Sequence, residues 1–563
     1  MQSLRERPQN AAMTSDTILI VGGGPVGLTL ACELYRHGVP CRVVELERQR
    51  HEQSRATDIQ AGTLRVLEDM GILDAFLEAG AVRDEFAMFA DGELITQMNM
   101  RELDTPYPFA LGLGQSESER LLEEHLQRLG GKLERGVRVV SVSQQEGGVD
   151  VLFEGDRGTQ TEHFDWVVGC DGSHSAVRKS VGLALEGTTM AERFFLADVD
   201  FISDRSEREI SIWTGAHGAL IVLPIPGTVR VFGDLSEAQT EEVDLTFVRD
   251  ELRKRTHGLA DASALGWAAT FNVHARIVES YRKDRVFLAG DAAHIHSPAG
   301  GHGMNTGVQD AYNLGWKLAL VAQGQAGDTL LDSYDAERRP VGRAVVSETD
   351  WETRAATWRS GFGQLAVGRL LGLAMKLPSL RQAMMIHALE LDVAYPNSPI
   401  VGERRCWPLA PYIPGAGETE EPCISQWRAF AAGPAPGDAA PDVLFGEHRM
   451  FHLLRGTGYT ALLFDGHAAT EEGYQRLNAA AAVLGAGPNK IPVHVIVPSS
   501  EVPSSLDAVS VLLDPAGAAH DKFGADAECG YLIRPDGHIG FRTQPVDALA
   551  MSMHLEQLFI SPG

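Results

Sequence analysis

The sequence predicts an α/β protein built from three parts. A short apolar run at 17–21 leads through a Gly-rich turn into a helix, which is typical of the start of a mostly parallel sheet. A strand-rich stretch at 193–273 interrupts this pattern and indicates an inserted antiparallel sheet. A second alternation of strands and helices over 443–563 indicates a separate C-terminal α/β domain.

Composition narrows the class of partner. The 563 residues carry 49 Lys and Arg against 76 Asp and Glu, a formal net charge of -27, which argues against nucleic acid or an anionic membrane as a partner. No apolar run reaches the roughly 20 residues of a membrane span. Six scattered cysteines without a C-x-x-C pair indicate reduced thiols in a cytoplasmic protein. Residues 1–15 lack the apolar core of a signal peptide and are expected to form a disordered leader.

The first strand is followed at once by a glycine fingerprint. Gly22, Gly24 and Gly27 form a G-x-G-x-x-G before a helix predicted at 28–37, and Glu45 ends the next strand. The first two glycines allow a tight turn and a close backbone approach to a pyrophosphate. The third lets the helix pack on the strand, and the acid can hold a ribose hydroxyl. The pattern predicts a dinucleotide site in a Rossmann-like domain without choosing between NAD and FAD.

Two further predicted strands end in an aspartate and a Gly-containing loop. Asp171 follows the apolar run at 165–168, and Asp291 follows the run at 286–289. After Asp291 an irregular crossing leads into a predicted helix. Its first turn would present N–H donors to an electron-rich group from the amides of Gly303, Met304 and Asn305.

The inserted sheet is expected to supply the second wall of a pocket. Its candidate lining residues are Trp213, Phe232 and Phe271, with His217, although strand aromatics also serve as ordinary core. His294 and His296 lack the third ligand of a metal site, so no metal is predicted.

The last third of the chain divides into three segments. An apolar, Met-rich helical segment is predicted over 361–395, and Pro and Gly crowd a surface linker over 396–442. The element order over 443–563 matches a thioredoxin-like fold that lacks C-x-x-C. A structural or oligomer-forming role, such as a homodimer contact, is therefore expected there in place of redox catalysis.

Three motifs in one order carry a family resemblance: Gly22-x-Gly24-x-x-Gly27, Asp171-Gly172 and Gly290-Asp291-Ala-Ala-His294. Together they resemble the single-component, class A FAD-dependent aromatic hydroxylases of the p-hydroxybenzoate hydroxylase fold. The C-terminal part resembles the branch with a thioredoxin-like extension, which includes phenol, hydroxyphenylpropionate and polyketide hydroxylases. The resemblance implies a glutathione-reductase-type FAD-binding domain at 16–88, 116–190 and 276–360, and a substrate domain at 89–115 and 191–275.

The resemblance also assigns cofactor contacts. Gly22, Gly24, Gly27 and Glu45 would hold the ADP half of FAD, and Asp171 would serve both FAD and the nicotinamide. The remaining contacts to the cofactor fall, on the same resemblance, on Arg55, Gln115, Asp291, Pro298, Gly303, Met304 and Asn305.

The chemistry of that family would follow. NADPH or NADH would reduce a tightly but non-covalently bound FAD, and O2 would form a flavin C4a-hydroperoxide that hydroxylates a phenolic or polyketide-like ring. The phenol-hydroxylase branch has an Asp base where this chain has Thr57, with Asp58 one residue later. Asp58 is therefore either a displaced base or a solvated or capping residue. The catalytic residue stays unassigned, with Asp58 and His217 as candidates.

Other functions remain open on the same fold. Baeyer–Villiger insertion or epoxidation would also add one oxygen atom, and a non-catalytic FAD-binding protein would bind flavin without turnover. Flavin-dependent halogenation is disfavoured because the sequence contains no W-x-W-x-I-P segment.

Overall fold

A parallel sheet with one antiparallel edge strand forms the centre of the first domain. The computed structural model describes residues 17–51, 56–155, 158–235, 242–297, 301–357, 377–405, 423–446, 448–467, 469–486, 490–506 and 510–560. Within these residues the sheet has six strands. In spatial order they are Arg282–Lys283, Val286–Leu288, Trp166–Gly169, Ile18–Val21, Arg42–Glu45 and Leu133–Arg135. The Ile18–Val21 strand is buried throughout, as expected of a strand covered on both faces.

Helices cover this sheet. The first of them begins at Pro25, three residues before its predicted start, because proline is favoured in the first helical turn. Helices 25–36 and 303–322 pack against each other. The helices of the domain are Pro25–Arg36, Ala61–Asp69, Leu73–Ala79, Gln115–Arg128, Ala176–Ser180, Gly303–Ala322 and Thr329–Thr357, with 3-10 turns at Met100–Glu102 and Gly290–Ala292.

Two small antiparallel sheets complete the first domain. One is a meander of Arg138–Gln145, Gly148–Gly155 and Gly158–Phe164. The other joins Asp58–Ile59, Ala110–Gly112 and Ala81–Arg83. This second sheet lies where the chain passes from the first domain into the insert.

The predicted insert is present as a separate sheet. Its members within the described residues, in spatial order, are His294–Ile295, Ala260–Ile277, Glu186–Ser203, Thr228–Leu235, Gly218–Ile225, Glu209–Gly215, Glu85–Ala90 and Glu93–Asn99. Pairing is antiparallel except between 85–90 and 209–215. Helix Leu245–Arg255 covers one face and buries Phe247, Val248 and Leu252 against it. The strand 294–295 connects this sheet directly to the Gly290-Asp291 turn.

The C-terminal domain is a mixed sheet with helices on it. Its strands, in spatial order, are Gly402–Arg405, Ile539–Gln544, Ala527–Ile533, Thr460–Gly466, Val493–Val497 and Ser510–Leu513. Its other elements are Leu444–Phe445, His448–Arg449, Met450–Leu453, Glu471–Ala486, Ser504–Leu506, Ala518–Phe523 and Ala548–Leu558. Strands 460–466, 493–497 and 510–513 are parallel, and 527–533 runs against them. The thioredoxin-like assignment stays a prediction.

The predicted linker at 396–442 contains regular structure. Strand 402–405 pairs with 539–544, and helix Ile424–Ala432 begins with a capping box between Cys423 and Gln426. The linker prediction is thus wrong for these elements, because Pro and Gly counts mark turns but do not detect a single edge strand or a short capped helix. Helix Pro378–Ala388 falls in the predicted 361–395 segment. Residues 1–16, 358–376 and 406–422 lie outside the described part of the chain.

Within the described residues, no helix combines the length and the apolar character needed to cross a membrane.

Candidate functional site

The glycine fingerprint forms a backbone cradle at the start of helix 25–36. A Cβ on Gly22 (φ +111°) would lie 2.2 Å from the Cys170 carbonyl oxygen, and one on Gly27 would lie 2.0 Å from the Gly22 oxygen. Both positions therefore require glycine. A Cβ on Gly24 would meet no described atom within 4 Å. As a glycine, this N-cap residue also has no side chain that could cap the helix. The helix N-terminus thus faces open space of the kind that a pyrophosphate fills.

Glu45 lies beside this cradle at the end of its strand. Its Oε2 accepts a hydrogen bond from the Gly23 amide at 2.6 Å, and its Oε1 accepts from the Glu47 amide at 2.8 Å. A carboxylate has about four acceptor sites, so these two bonds orient the group and leave capacity for a ribose hydroxyl.

Asp171 follows strand 166–169, which pairs with strand 18–21 on the side away from Glu45. Its Oδ2 accepts from the amides of Ala176 at 2.7 Å and Val177 at 3.2 Å. Its Oδ1 is buried and has no hydrogen-bond partner among the described residues. Burial raises the pKa of Asp171, against hydrogen bonds from Ser175 and the backbone that lower it. A buried acceptor without a donor is a position where a ligand hydroxyl could bind.

The third strand end packs directly on the first. A Cβ on Gly290 would lie 2.8 Å from Val26 Cγ2, and one on Gly307 would lie 2.7 Å from the same atom. The fingerprint helix, the Gly290-Asp291 turn and helix 303–322 therefore meet at Val26. Asp291 is exposed at this junction.

A buried carboxylate holds that turn in place. Asp310 Oδ2 accepts from the Gly290 amide at 3.1 Å and lies 2.8 Å from His294 Nε2, while Arg338 Nε donates to Oδ1 at 2.7 Å. Burial favours the neutral acid, but the charges of Arg338 and His294 outweigh it and hold the pKa of Asp310 below its usual value. We call Asp310, Arg338, His294 and Gly290 the turn network.

Helix 303–322 begins without a side-chain cap, since its N-cap His302 makes no capping bond. The side chain of Asn305 instead pins the strand 58–59 to the helix. Its Oδ1 accepts from the Gln60 amide at 2.9 Å, and its Nδ2 donates to the carbonyls of Asp58 at 2.9 Å and Gly301 at 2.7 Å. The first-turn amides of Gly303, Met304 and Asn305 have no acceptor within the helix and can face a ligand.

Asp58 lies at this helix start but is not a solvated residue. Its side chain is 13% exposed and forms an ion pair with Arg83, which is fully buried. A Cβ on Gly301 would lie 2.9 Å from Asp58 Oδ2. The structure therefore places Asp58 at the candidate site, where its carboxylate is already paired with the Arg83 guanidinium.

The other catalytic candidate lies elsewhere. His217 is exposed in the turn that precedes strand 218–225, whereas Pro224, near the other end of that strand, approaches Gly112 beside Arg83. Seven residues of strand separate the two ends by about 20 Å. The structure does not bring His217 to the Gly303 region.

The three aromatic candidates fall on different faces of the inserted sheet. Trp213 is 2% exposed, stacks on Phe89 at 3.7 Å, and belongs to the core under helix 245–255. Phe232 and Phe271 lie on the opposite face with Phe194, at ring distances of 5.2 to 6.3 Å. Phe232 and Phe271 therefore lie on the face that helix 245–255 does not cover, and Trp213 lies on the covered one.

Of the three remaining predicted cofactor contacts, the structure describes only Gln115. Gln115 starts helix 115–128, where its Nε2 donates to Glu119 at 2.9 Å. Arg55 and Pro298 lie outside the described residues. In the described part of the chain, no cluster of three His, Cys, Asp or Glu side chains could hold a metal ion.

Sequence reasoning missed Asp310, Arg338 and Arg83. Asp310 stands in an apolar helical pattern, and a charged residue on a buried helix face is a signal that could have marked it. Arg83 and Arg338 carry no comparable local signal, because their partners are distant in the sequence.

The donor and acceptor set fits FAD. An uncapped helix N-terminus beside Gly24, an acid at the ribose position and a second helix N-terminus at Gly303 are arranged along one sheet edge. No metal or covalent attachment is needed for this arrangement to bind a dinucleotide.

Comparison with known proteins agrees. An FAD binding domain family matches residues 15–349. The 6-methylpretetramide 4-monooxygenase of Streptomyces rimosus is 30% identical over 97% of this chain and 94% of its own length. The pentachlorophenol 4-monooxygenase of Sphingobium chlorophenolicum is 32% identical over 93% of each chain.

A solved structure shows the same architecture. Aklavinone-11 hydroxylase, in a ternary complex with FAD and aklavinone, superposes with a TM-score of 0.72 at 25% identity, covering 98% of this chain and 99% of that one. The fingerprint cradle, the two aspartate-bearing strand ends and these full-length relatives lead to one conclusion: the chain belongs to the family of FAD-dependent aromatic monooxygenases.

Proposed function

We propose that this protein uses NADPH or NADH and O2 to hydroxylate a phenolic or polycyclic, polyketide-like aromatic substrate. The observation that carries the proposal is the junction at Val26, where the fingerprint helix, the Gly290-Asp291 turn and helix 303–322 meet. That junction would hold a flavin with one edge toward the inserted sheet. The relatives named for tetracyclic and chlorinated phenolic substrates support the substrate class.

The cofactor contacts divide along the sheet edge. Gly22, Gly24, Gly27 and Glu45 hold the adenosine and pyrophosphate part, and Gln115 contacts the cofactor from the start of its helix. Asp171 and Asp291 hold hydroxyl and phosphate groups near the middle. The amides of Gly303, Met304 and Asn305 hold the electron-rich edge of the ring system.

Bound FAD supplies hydride acceptance and oxygen activation, and the protein supplies position and exclusion of water. The helix N-terminus at Gly303 would lie at the electron-rich edge of the bound ring system and would stabilise negative charge there. The turn network would hold Gly290 and Asp291 in position beside it. The sequence contains no second complete G-x-G-x-x-G. The reduced nucleotide would therefore bind transiently, near Asp171, without a Rossmann site of its own.

The aromatic face of Phe194, Phe232 and Phe271 holds the substrate ring. Offset stacking and edge contacts of such rings add about 0.5–1.5 kcal/mol each beyond simple burial. Trp213 supports the sheet from behind and does not touch the substrate.

Asp58 has a different role from a free base. Arg83 already pairs with its carboxylate, so we propose that the pair fixes the 58–60 segment against Asn305. His217 has no role in the reaction.

The test is turnover with defined substrates. The purified yellow protein is mixed with NADPH or NADH and a panel of phenols, anthraquinones and naphthacenes, and nucleotide oxidation, oxygen uptake and peroxide are measured together. Ring-stimulated oxidation with little peroxide, and a product hydroxylated at carbon by NMR, is the expected result. Oxygen inserted into the carbon skeleton would support the Baeyer–Villiger alternative, and flavin that no substrate makes reducible would support a non-catalytic role.

A variant pair locates the ring. Phe271→Ala removes a half-buried aromatic from the proposed face, and Thr270→Ala changes its exposed neighbour on the other face. We expect F271A to raise KM about tenfold, in line with the loss of one aromatic contact, and T270A to leave it unchanged. Equal behaviour of the two variants would remove this face from the substrate site.

A further inference from the structure

A cavity lies between the first domain and the C-terminal domain. It measures about 80 Å³ and is lined from both sides, by helices 61–69 and 303–322 and by residues 439–442 and 535–538. One water needs about 10–15 Å³ of such space, and pockets for drug-sized ligands start near 300 Å³. The cavity therefore suits a ligand of about five non-hydrogen atoms.

Arg65 is the distinctive residue of this cavity. Its Nη2 makes one long hydrogen bond, 3.4 Å to the Ala440 carbonyl, and its guanidinium lies over the Phe451 ring at 5.1 Å. Among the described residues no carboxylate comes within ion-pair distance of it. Burial lowers the pKa of Arg65, more than the surrounding carboxylates and Tyr312 raise it.

Several buried arginines in the described part of the chain have partners that Arg65 lacks. Arg338 pairs with Asp310 at 2.7 Å, Arg534 with Glu337 at 2.7 Å, and Arg255 with Asp234 at 2.8 Å. Arg178 lacks a carboxylate but donates to two carbonyl oxygens, at 3.1 and 2.8 Å. Arg65 is only partly buried, but among the described residues it has neither a carboxylate partner nor a second carbonyl acceptor, so an external anion would supply the counter-charge that it lacks.

The nearby carboxylates are engaged by other groups. Asp442 accepts from Arg449 at 2.6 Å and from the Phe451 amide at 3.0 Å. Glu68 pairs with Arg455 and His452. The acids that also line the cavity have other partners as well: Asp69 pairs with Arg36, Asp536 pairs with Arg534, and Glu390 lies within hydrogen-bond distance of His302 and Gln309.

We propose that Arg65 and the cavity beside it bind a small oxyanion, a phosphate or a carboxylate, between the first domain and the C-terminal domain. The planar guanidinium fork is suited to two parallel hydrogen bonds with either group. A bound anion would connect helix 61–69 to the 439–442 segment and so stabilise the docking of the two domains. This site would exist whatever ring the enzyme oxidises.

The test uses the full-length, FAD-loaded protein. Melting temperature and isothermal calorimetry are measured with inorganic phosphate and with acetate, each against sodium chloride at equal ionic strength. The variant is Arg65→Gln, and the matched control is Arg455→Gln, which removes a cation from the same interface that already has Glu68 as its partner. We expect a saturable rise in melting temperature for the wild type and R455Q, and at least tenfold weaker binding by R65Q.

Two further measurements keep the outcome decisive. Arg65→Lys retains the charge without the fork and should bind the anion with intermediate affinity, and line broadening of the phosphate 31P signal by wild-type protein does not depend on any variant folding. Tighter binding of phosphate or of acetate identifies the class of ligand. Equal melting shifts with chloride, no line broadening, or undiminished binding by R65Q would overturn the proposal.

Discussion

Two buried charge networks lie against helix 303–322, and they are built from adjacent residues of helix 329–357. Arg338 belongs to the turn network, which holds Gly290, and its Nη1 also donates to the Tyr395 hydroxyl at 3.1 Å. Glu337, one residue earlier, crosses to the C-terminal domain, where Arg534 donates to both of its oxygens at 2.7 and 2.9 Å. Lys317 Nζ also donates to Glu337 at 2.6 Å. We call Glu337, Arg534, Lys317 and Asp536 the docking network.

The turn network holds the Gly290-Asp291 turn in place, whereas the docking network holds the C-terminal domain against the first domain. Burial disfavours the charge on Glu337, but Arg534 and Lys317 hold its pKa well below the ordinary range. Losing the turn network should disturb the flavin directly. Losing the docking network should loosen a domain and leave the flavin bound. Adjacent residues of one helix therefore serve two tasks, and the Tyr395 ring, which lies beside both Arg338 and Arg534, connects the two networks.

The largest expected effect is that of Asp310→Asn. The change leaves Arg338 buried without a counter-charge and weakens the bond to His294, at a cost of about 5 kcal/mol in the free energy of unfolding. Flavin content should fall with it. Urea denaturation and the absorbance ratio of flavin to protein measure both effects. Asp332→Asn, an exposed position on helix 329–357, which also carries Arg338, is the control and should change neither. A stable, fully yellow D310N protein would contradict the role of the turn network.

Arg534→Gln should cost less, about 3 kcal/mol, because Lys317 still balances Glu337. Asp536 would also still accept from Trp316 Nε1 at 3.2 Å and from the His538 amide at 3.3 Å. We expect flavin content to stay at the wild-type level while proteolysis between the domains becomes faster. Limited proteolysis followed by mass spectrometry, with flavin absorbance on the same samples, makes the measurement. Loss of flavin in step with stability would show that the two networks are one.

Acid should weaken both domains through buried histidines. Burial, with help from Arg36, lowers the pKa of His37 to about 3, and burial, with help from Arg534, lowers that of His554 to about 4. The unfolded chain binds these protons below about pH 6.5 and the folded chain does not. The contribution of these neutral histidines to the free energy of unfolding is therefore complete above about pH 6.5. It declines as the pH falls toward their pKa values in the folded protein, by up to about 2 kcal/mol per histidine at pH 5.

The variants H37Q and H554Q separate the two contributions. Each should flatten the pH dependence of the unfolding free energy between pH 6.5 and 5, as measured by urea denaturation across a buffer series. His163, an exposed histidine, provides the control H163Q. An unchanged slope in H37Q and H554Q would mean that these side chains are already protonated in the folded protein.

The smallest expected effect is that of Lys317→Met. Burial lowers the pKa of Lys317 to about 8 despite the attraction of Glu337, so its charge contributes little net stability. Glu337 keeps Arg534, and it also keeps Asn313 at 2.7 Å and Ser398 at 2.5 Å. The change leaves Glu337 paired with Arg534, so it does not leave that carboxylate without a counter-charge, and we expect a change within about 1 kcal/mol. A loss above 3 kcal/mol would make Lys317 a main support of the docking network.

Local chemistry explains which parts the sequence could predict. Gly22 and Gly27 are required by close backbone approaches within one turn, so their spacing alone identified the cradle. The charge partners Asp310 and Arg338 are 28 residues apart and meet only after two helices pack. Trp213 and Phe232 are both buried aromatic residues of strands, and the sequence alone does not show which of them lies under helix 245–255, because that depends on how the helix packs on the sheet.

The placement of the aromatic face has a consequence for how such enzymes diversify. Phe194, Phe232 and Phe271 form a cluster separate from the core under helix 245–255 and from the core that surrounds the flavin cradle. Selection can therefore exchange these rings for other side chains while the residues that secure the coenzyme and the scaffold stay as they are. Related proteins of this fold can therefore differ in substrate specificity while the folded core and the cofactor site stay unchanged.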